Sequence, residues 1–209
     1  MSIKGIIYDL DGTIIDSASL HEQGWKAAGK KFNIKITPKM SLDQKGRTNE
    51  DAVSMMLPKN KLSLSKEFIK AKEQFVIDNL KNVTFLPGFT EAIPLLKSRK
   101  LKLWICTSSK RSFIQAVLRK VPSLKSFKNK IVYRELYQQG KPSPEPLLLT
   151  SKKMKLSSKD CCYIGDAEAD YHAALNANMN FVFFNSSKTK NCPSPLSMKN
   201  HLDLLSILK

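Results

Sequence analysis

Five short apolar runs, Ile3 to Leu10, Leu101 to Thr107, Lys130 to Tyr133, Cys161 to Gly165 and Phe181 to Phe184, alternate with stretches of helical periodicity along this chain. Runs of this length, rich in Ile, Val, Phe and Tyr and bounded by polar, Gly or Pro residues, read as buried strands. Between them, Glu91 to Arg99 follows Pro87-Gly88, and Ser109 to Arg119 places Phe113, Val117 and Leu118 along one face. Asp170 to Asn178 ends on an Asn, a residue tolerated in the left-handed conformation that often closes helices. Strand followed by helix, repeated, predicts an α/β fold built on a doubly wound parallel sheet.

From Ser17 to Val83 the alternation stops. That stretch is helical in pattern with no convincing strand: Phe68, Ala71, Phe75 and Asn79-Leu80 suit one amphipathic helix, and Leu20, Ala27, Ala28 and Phe32 suit another. We expect a helical lobe, residues 17–83, inserted into a core made of residues 1–16 and 84–209. Both connections would leave the sheet at the same edge.

Composition limits the possibilities without choosing among them. A hydrophobic share of 42% beside 25% charged residues is that of a globular protein with one sizeable core. No apolar stretch reaches the length of a membrane-spanning helix, and Asp9 and Asp11 cut the first run too early for a signal-peptide core. Cys106, Cys161, Cys162 and Cys192 lack paired metal-ligand spacing, and Cys161 and Cys162 would face opposite sides of a strand. Reduced packing cysteines and a cytoplasmic location are expected. The formal charge of +17 can attract nucleic acid, an anionic membrane or a small anion. Its lysines are dispersed rather than clustered with stacking aromatics, so a solvated surface is expected, with no nucleic-acid or membrane partner.

Each polar cluster of interest falls at the carboxyl end of a predicted strand, the rim where open parallel sheets bind ligands. In chain order they are Asp9 with Asp11, then Thr107-Ser108-Ser109-Lys110, then Lys141-Pro142, then Gly165-Asp166 with Asp170. Two carboxylates as close as Asp9 and Asp11 repel each other, and a hard divalent ion such as Mg2+, content with one or two carboxylates and phosphate oxygens, would offset them. In phosphoryl transfer Asp9 can attack phosphorus, while Asp11 serves as acid and then base. Asp166 can complete a metal site with Asp9 and Asp11, and Asp170 can reach the ion through water or brace it. Thr107 and the main-chain N–H of Ser108 make a phosphate cradle, and Lys141 stabilises charge on the transferring oxygens. Taken singly, these motifs are turns, helix caps and loops. Their order and common placement at strand ends argue for function.

As a set, these motifs resemble the haloacid dehalogenase superfamily of phosphotransferases, over nearly the whole length. The resemblance implies a Rossmann-like core, Asp9 as nucleophile, Asp11 as acid/base, Thr107 and Lys141 on the phosphoryl group, Asp166 on Mg2+, Asp170 at the second acidic position of the fourth motif, and residues 17–83 as a cap. Leu86-Pro87-Gly88-Phe89 and Lys141-Pro142-Ser143-Pro144 look like the small-metabolite phosphatases, a subgroup that includes the beta-phosphoglucomutases. Within it, His21, Trp25, Lys45, Gly46, Arg47 and Lys110 match positions that face substrate. Trp25 reads better as an anchor of the lobe's own core, while His21 reads equally well as a substrate contact or as a solvent-facing helix residue.

The expectation is a Mg2+-dependent phosphatase acting on a small phosphorylated metabolite, as a monomer or weak dimer. Gly165-Asp166-Ala167-Glu168-Ala169-Asp170 is the acidic arrangement of the phosphatases, whereas Lys45-Gly46 and Thr107 to Lys110 are similar to the mutases. A phosphosugar mutase is therefore the alternative, and a non-catalytic, nucleic-acid-binding protein on the same scaffold a more distant one. Asp11 argues against dehalogenase chemistry, which does not use an aspartate there.

Overall fold

Six parallel strands form one sheet in the order β3-β2-β1-β4-β5-β6. They are β1 (Gly5–Tyr8), β2 (Lys102–Cys106), β3 (Ile131–Val132), β4 (Cys161–Gly165), β5 (Asn180–Phe184) and β6 (Ser197–Met198). The structure, a computed structural model, describes residues 3–44, 47–80, 83–185 and 192–208. All five strands expected from the sequence are present. The two-residue edge strand β6 is an addition, because a pair of residues carries no readable periodicity.

Both faces of the sheet are covered, which is why the strands are apolar runs rather than alternating ones. Ile6, Tyr8, Ile105, Cys162, Ile164, Val182 and Phe184 pack on one side with α5 (Phe89–Ser98), α6 (Arg111–Lys120) and α9 (Leu204–Ile207). Ile7, Cys106, Cys161, Tyr163, Phe181 and Phe183 pack on the other with α7 (Glu145–Met154) and α8 (Glu168–Asn176). Cys161 and Cys162 thus enter opposite layers, and all four cysteines are free. Asn178 follows α8 in the left-handed conformation, at φ 51°. Among the described residues, no helix is long and apolar enough to cross a membrane.

Strand order runs from β1 to β2 and β3 in one direction, and through β4 to β5 and β6 in the other. The switch point lies between β1 and β4, where a doubly wound sheet opens a crevice at its carboxyl edge.

Among the described residues of the stretch 18–78, the regular elements are all helical: α1 (Ala18–Lys31), α2 (Pro38–Asp43), α3 (Asn49–Met56), a 3-10 segment (Lys59–Leu64) and α4 (Ser65–Asp78). They enclose a separate apolar cluster of Trp25, Ala28, Ala52, Val53, Met56, Phe68 and Ile69, with Trp25 stacked on Phe68 at 5.9 Å. Gly24 lets α1 and α4 approach closely, since a Cβ there would press on Val76 and the main chain of Lys72. The buried stripe of α4 differs from the expected one. It runs through Phe68, Ile69, Lys72 and Val76, and Phe75 is only half-buried. That rotation brings a lysine to the inner face.

The two connections between this lobe and the sheet lie side by side. Asp16 donates its N–H to Thr84 O and Leu86 donates to Ile14 O, both at 2.9 Å, around an antiparallel bridge of Ile15 with Phe85.

Candidate active site

Asp9 directly follows β1, Thr107 follows β2, Lys141 lies beyond β3 and Asp166 follows β4, so the sheet itself gathers these side chains at one rim. Backbone ladders continue into the site: Asp9 donates its N–H to Ile164 O at 2.8 Å and Thr107 to Val132 O at 2.9 Å. Asp9, Asp11, Thr107, Ser108, Lys141 and Asp166 line a cavity of about 430 Å³. From the helical stretch, Ser41, Gln44, Arg47, Asn49, Lys72 and His21 line the same cavity.

Lys141 is buried at the centre. Its ammonium donates to Asp9 Oδ1 at 2.9 Å, Asp170 Oδ1 at 2.6 Å and the Tyr163 hydroxyl at 2.9 Å. Tyr163 in turn donates to Asp170 Oδ1 at 2.9 Å, and the N–H of Ala167 donates to Asp170 Oδ2 at 3.1 Å. Burial disfavours the lysine's charge, but Asp170 and Asp9 outweigh it and hold Lys141 well above its usual pKa. Asp9 is pushed well above the carboxylate range, first by burial and then by Asp170, Asp166 and Asp11, with Lys141 pulling the other way.

One carboxylate oxygen each of Asp9, Asp166 and Asp170 lies within 4.8 Å of the others, and all three residues are buried. Gly12, at φ 84°, makes this crowding possible, because a Cβ there would collide with the Asp166 carboxylate. Three buried acids share one ammonium, which pairs with Asp9 and Asp170, so negative charge is in excess; it adds to burial in raising the pKa of Asp9. The donor set is hard oxygen throughout, so these residues fit a Mg2+ ion held by Asp9 and Asp166. Both oxygens of Asp170 already accept hydrogen bonds from the protein. This arrangement suits it to bracing Lys141.

Asp11 receives three donors: Ser17 Oγ at 2.5 Å, Ser109 Oγ at 2.7 Å and His21 Nε2 at 3.0 Å. Burial pushes its carboxyl up, yet His21, Ser17 and Ser109 together hold it well below the usual range. Burial, helped by the Lys72 cation, also lowers the pKa of His21. Its Nε2–H steadies Asp11 as a hydrogen-bond donor, and Asp11 in turn pulls the His21 pKa up against that burial.

His21 is thus brought to the site, packed edge-on to Phe113 at 5.4 Å and not facing solvent. Arg47 also lines the cavity, and Trp25 anchors the lobe's core as expected. Lys110 does not line this cavity; its ammonium pairs with Glu73 at 3.0 Å and Glu50 at 3.5 Å on the lobe, and it lines a smaller adjoining pocket with His21, Lys72 and Ser109. Lys45 and Gly46 lie outside the described residues. The sequence reading missed Ser17 and Ser109 as partners of Asp11, and Tyr163 behind Lys141. It also missed Lys72, whose ammonium donates to Asn49 Oδ1 at 3.0 Å and sits 5.0 Å over the Trp25 ring.

The chain is similar to known proteins along most of its length. Residues 6–184 match the model of the haloacid dehalogenase-like hydrolases. The chain is 28% identical to beta-phosphoglucomutase of Bacillus subtilis (strain 168) over 85% of its own length and 81% of that protein's. It is 23% identical to hexitol phosphatase A of Escherichia coli (strain K12), over 98% and 91% of the two chains. A crystal structure of a hydrolase from Pseudomonas syringae superposes with a TM-score of 0.87 at 25% identity, covering 98% of this chain and 97% of that one. With its four strand-end clusters assembled around Lys141 and a family match spanning most of its length, the chain belongs to the haloacid dehalogenase-like hydrolases.

Proposed function

We propose that this protein is a Mg2+-dependent phosphatase that hydrolyses a small phosphorylated metabolite through a phospho-aspartyl intermediate on Asp9. The observation that carries the reading is the buried Lys141–Asp9 pair at 2.9 Å, set beside Asp166 at the wall of a cavity of about 430 Å³. Such a volume suits a single small ligand. Residues 17–83 act as a cap over the core of 1–16 and 84–209, and the chain works in the reducing cytoplasm without a nucleic-acid or membrane partner, as a monomer or weak dimer.

Lys141 holds Oδ1 of Asp9, which leaves Oδ2 to attack phosphorus. The Oδ2–P bond forms as the bond from phosphorus to the leaving alkoxide oxygen breaks, and Asp11 gives that oxygen a proton. Arrival of a phosphate dianion raises the Asp11 pKa by like-charge repulsion, the direction needed for it to carry that proton. Water then attacks phosphorus, Asp11 takes up its proton, and the P–O bond to Asp9 breaks to release phosphate. Thr107 and Ser108 orient the transferring oxygens, and Lys141 balances their charge. Bound at Asp9 and Asp166, Mg2+ would supply further neutralisation of the phosphoryl oxygens.

Asp9→Asn tests the assignment in an assay of phosphate release from sugar phosphates, phosphoglycolate and a generic phosphate ester. Turnover should disappear in the variant, and chelation of Mg2+ should abolish it in the wild type. Undiminished activity in the variant rules out the role given to Asp9. Similarity to a beta-phosphoglucomutase makes a mutase the second reading. Labelled phosphate retained on the sugar would favour it over hydrolysis.

A further inference from the structure

His201 lies far from the motifs in sequence, in the tail beyond β6, and is fully buried. Its ring stacks on Phe184 at 4.7 Å and meets Phe89 and Tyr8 at 5.3 and 5.7 Å. Two polar contacts set it apart from an ordinary core residue. Nε2 lies 2.8 Å from the carbonyl oxygen of Thr13, and the main-chain N–H donates to Pro87 O at 2.9 Å. Because a carbonyl only accepts, Nε2 carries the proton. Nδ1 has no hydrogen-bond partner among the described residues, and burial lowers the ring's pKa to about 4, so the imidazole is neutral.

The positions of those two carbonyls give the contacts their meaning. Thr13 sits two residues after Asp11, in the turn where the N–H groups of Ile14 and Ile15 both donate to Leu10 O. Asp11 is itself part of that turn, which runs from Leu10 to Ile15. Pro87 closes the return connection, one residue beyond Leu86, whose N–H is bonded to Ile14 O. One residue of the tail therefore grips both the outgoing and the returning chain, through its side chain and its backbone respectively.

We propose that His201 is a positioning residue, which clamps the Asp11 turn and the lobe's return connection to the sheet and so holds Asp11 in register with Asp9. The consequence for catalysis rests on the phosphatase reading above, whereas the clamp itself does not. Packing and hydrogen bonding separate cleanly in two variants. His201→Phe keeps a ring for Phe184 but removes the donor to Thr13. His201→Gln keeps a donor near the Nε2 position but removes the ring.

The clamp predicts that hydrogen exchange of the backbone in 10–16, where the side-chain grip is lost, quickens several-fold in His201→Phe and stays closer to wild type in His201→Gln. In turnover, His201→Phe should lose about tenfold in kcat with KM changed by less than about twofold. His201→Gln should recover most of that kcat despite a lower Tm. If His201 served packing alone, His201→Gln would be the more damaged protein in every measurement, and His201→Phe would exchange and turn over like wild type. That pattern overturns the proposal. Exchange needs no substrate, so a wild-type protein inert towards every phosphate ester would count against the phosphatase reading while exchange still decided the clamp.

Discussion

Two lysines are buried beside the same cavity, and they are buried on opposite terms. Lys141, on the sheet rim, is surrounded by Asp9, Asp170 and Tyr163, and its pKa is raised. Lys72, on α4 of the helical stretch, meets the Asn49 amide and the Trp25 ring, and burial lowers its pKa to about 8. The core lysine is ion-paired to two carboxylates in a network that must be in place before any ligand arrives. The lobe lysine carries a charge that the fold only partly compensates, at a standing cost in stability. Rigid chemistry and an under-compensated cation thus face each other across one cavity.

Replacing each lysine by methionine should move stability in opposite directions. Lys141→Met strands Asp9 and Asp170 without their cation, and should lose about 3–5 kcal/mol of unfolding free energy together with all turnover. Denaturant unfolding at pH 7 measures the first and phosphate release the second. A Lys141→Met protein as stable as wild type would show that the network is not what it is described to be.

Lys72→Met should instead gain about 1–3 kcal/mol at neutral pH, because an uncharged side chain escapes the burial penalty. The sign follows from the lowered pKa. Below about pH 8 the lysine is charged in both the folded and unfolded states, and the penalty is complete. Between that value and the unfolded-chain pKa near 10.4 the folded protein sheds the proton, and the penalty fades. The advantage of Lys72→Met should therefore be flat at neutral pH and shrink as pH rises towards 10. A loss of stability at pH 7 would break the contrast between the two lysines.

The smallest effect is expected where lobe and core meet through exposed charge. Lys110 and Arg134 on the core reach Glu50 at 3.5 Å, and Lys110 reaches Glu73 at 3.0 Å. These groups are part-exposed, so Lys110→Ala should cost about 0.2–1 kcal/mol, and high salt should erase the difference. A larger, salt-insensitive loss would place more of the lobe–core coupling in this pair than its exposure allows.

The parts of the site that sequence made legible are those a parallel sheet delivers automatically. Asp9, Thr107 and Asp166 each directly follow a strand and Lys141 lies in the loop segment beyond β3, so recognising the strands was enough to bring them together. Residues that depend on tertiary detail were harder. Lys72 sits four residues after Phe68 and four before Val76, the spacing of one helix face, but a lysine there reads as surface until α4's rotation is known. Lys110 was expected to meet substrate, and its pairing with Glu50 and Glu73 from another part of the chain is equally invisible in the sequence. His201 follows a two-residue strand with no pattern to announce it, and its partners Thr13 and Pro87 are joined to it by backbone atoms that sequence does not display.

The central claim is that Asp9, held at Oδ1 by Lys141, becomes covalently phosphorylated. Rapid acid quenching of the wild-type protein turning over a radiolabelled phosphate ester with Mg2+, followed by peptide mapping, tests it most directly. The account predicts label on the peptide carrying Asp9 and none in Asp9→Asn. Steady turnover with no label at Asp9, or with label on another residue, would contradict it.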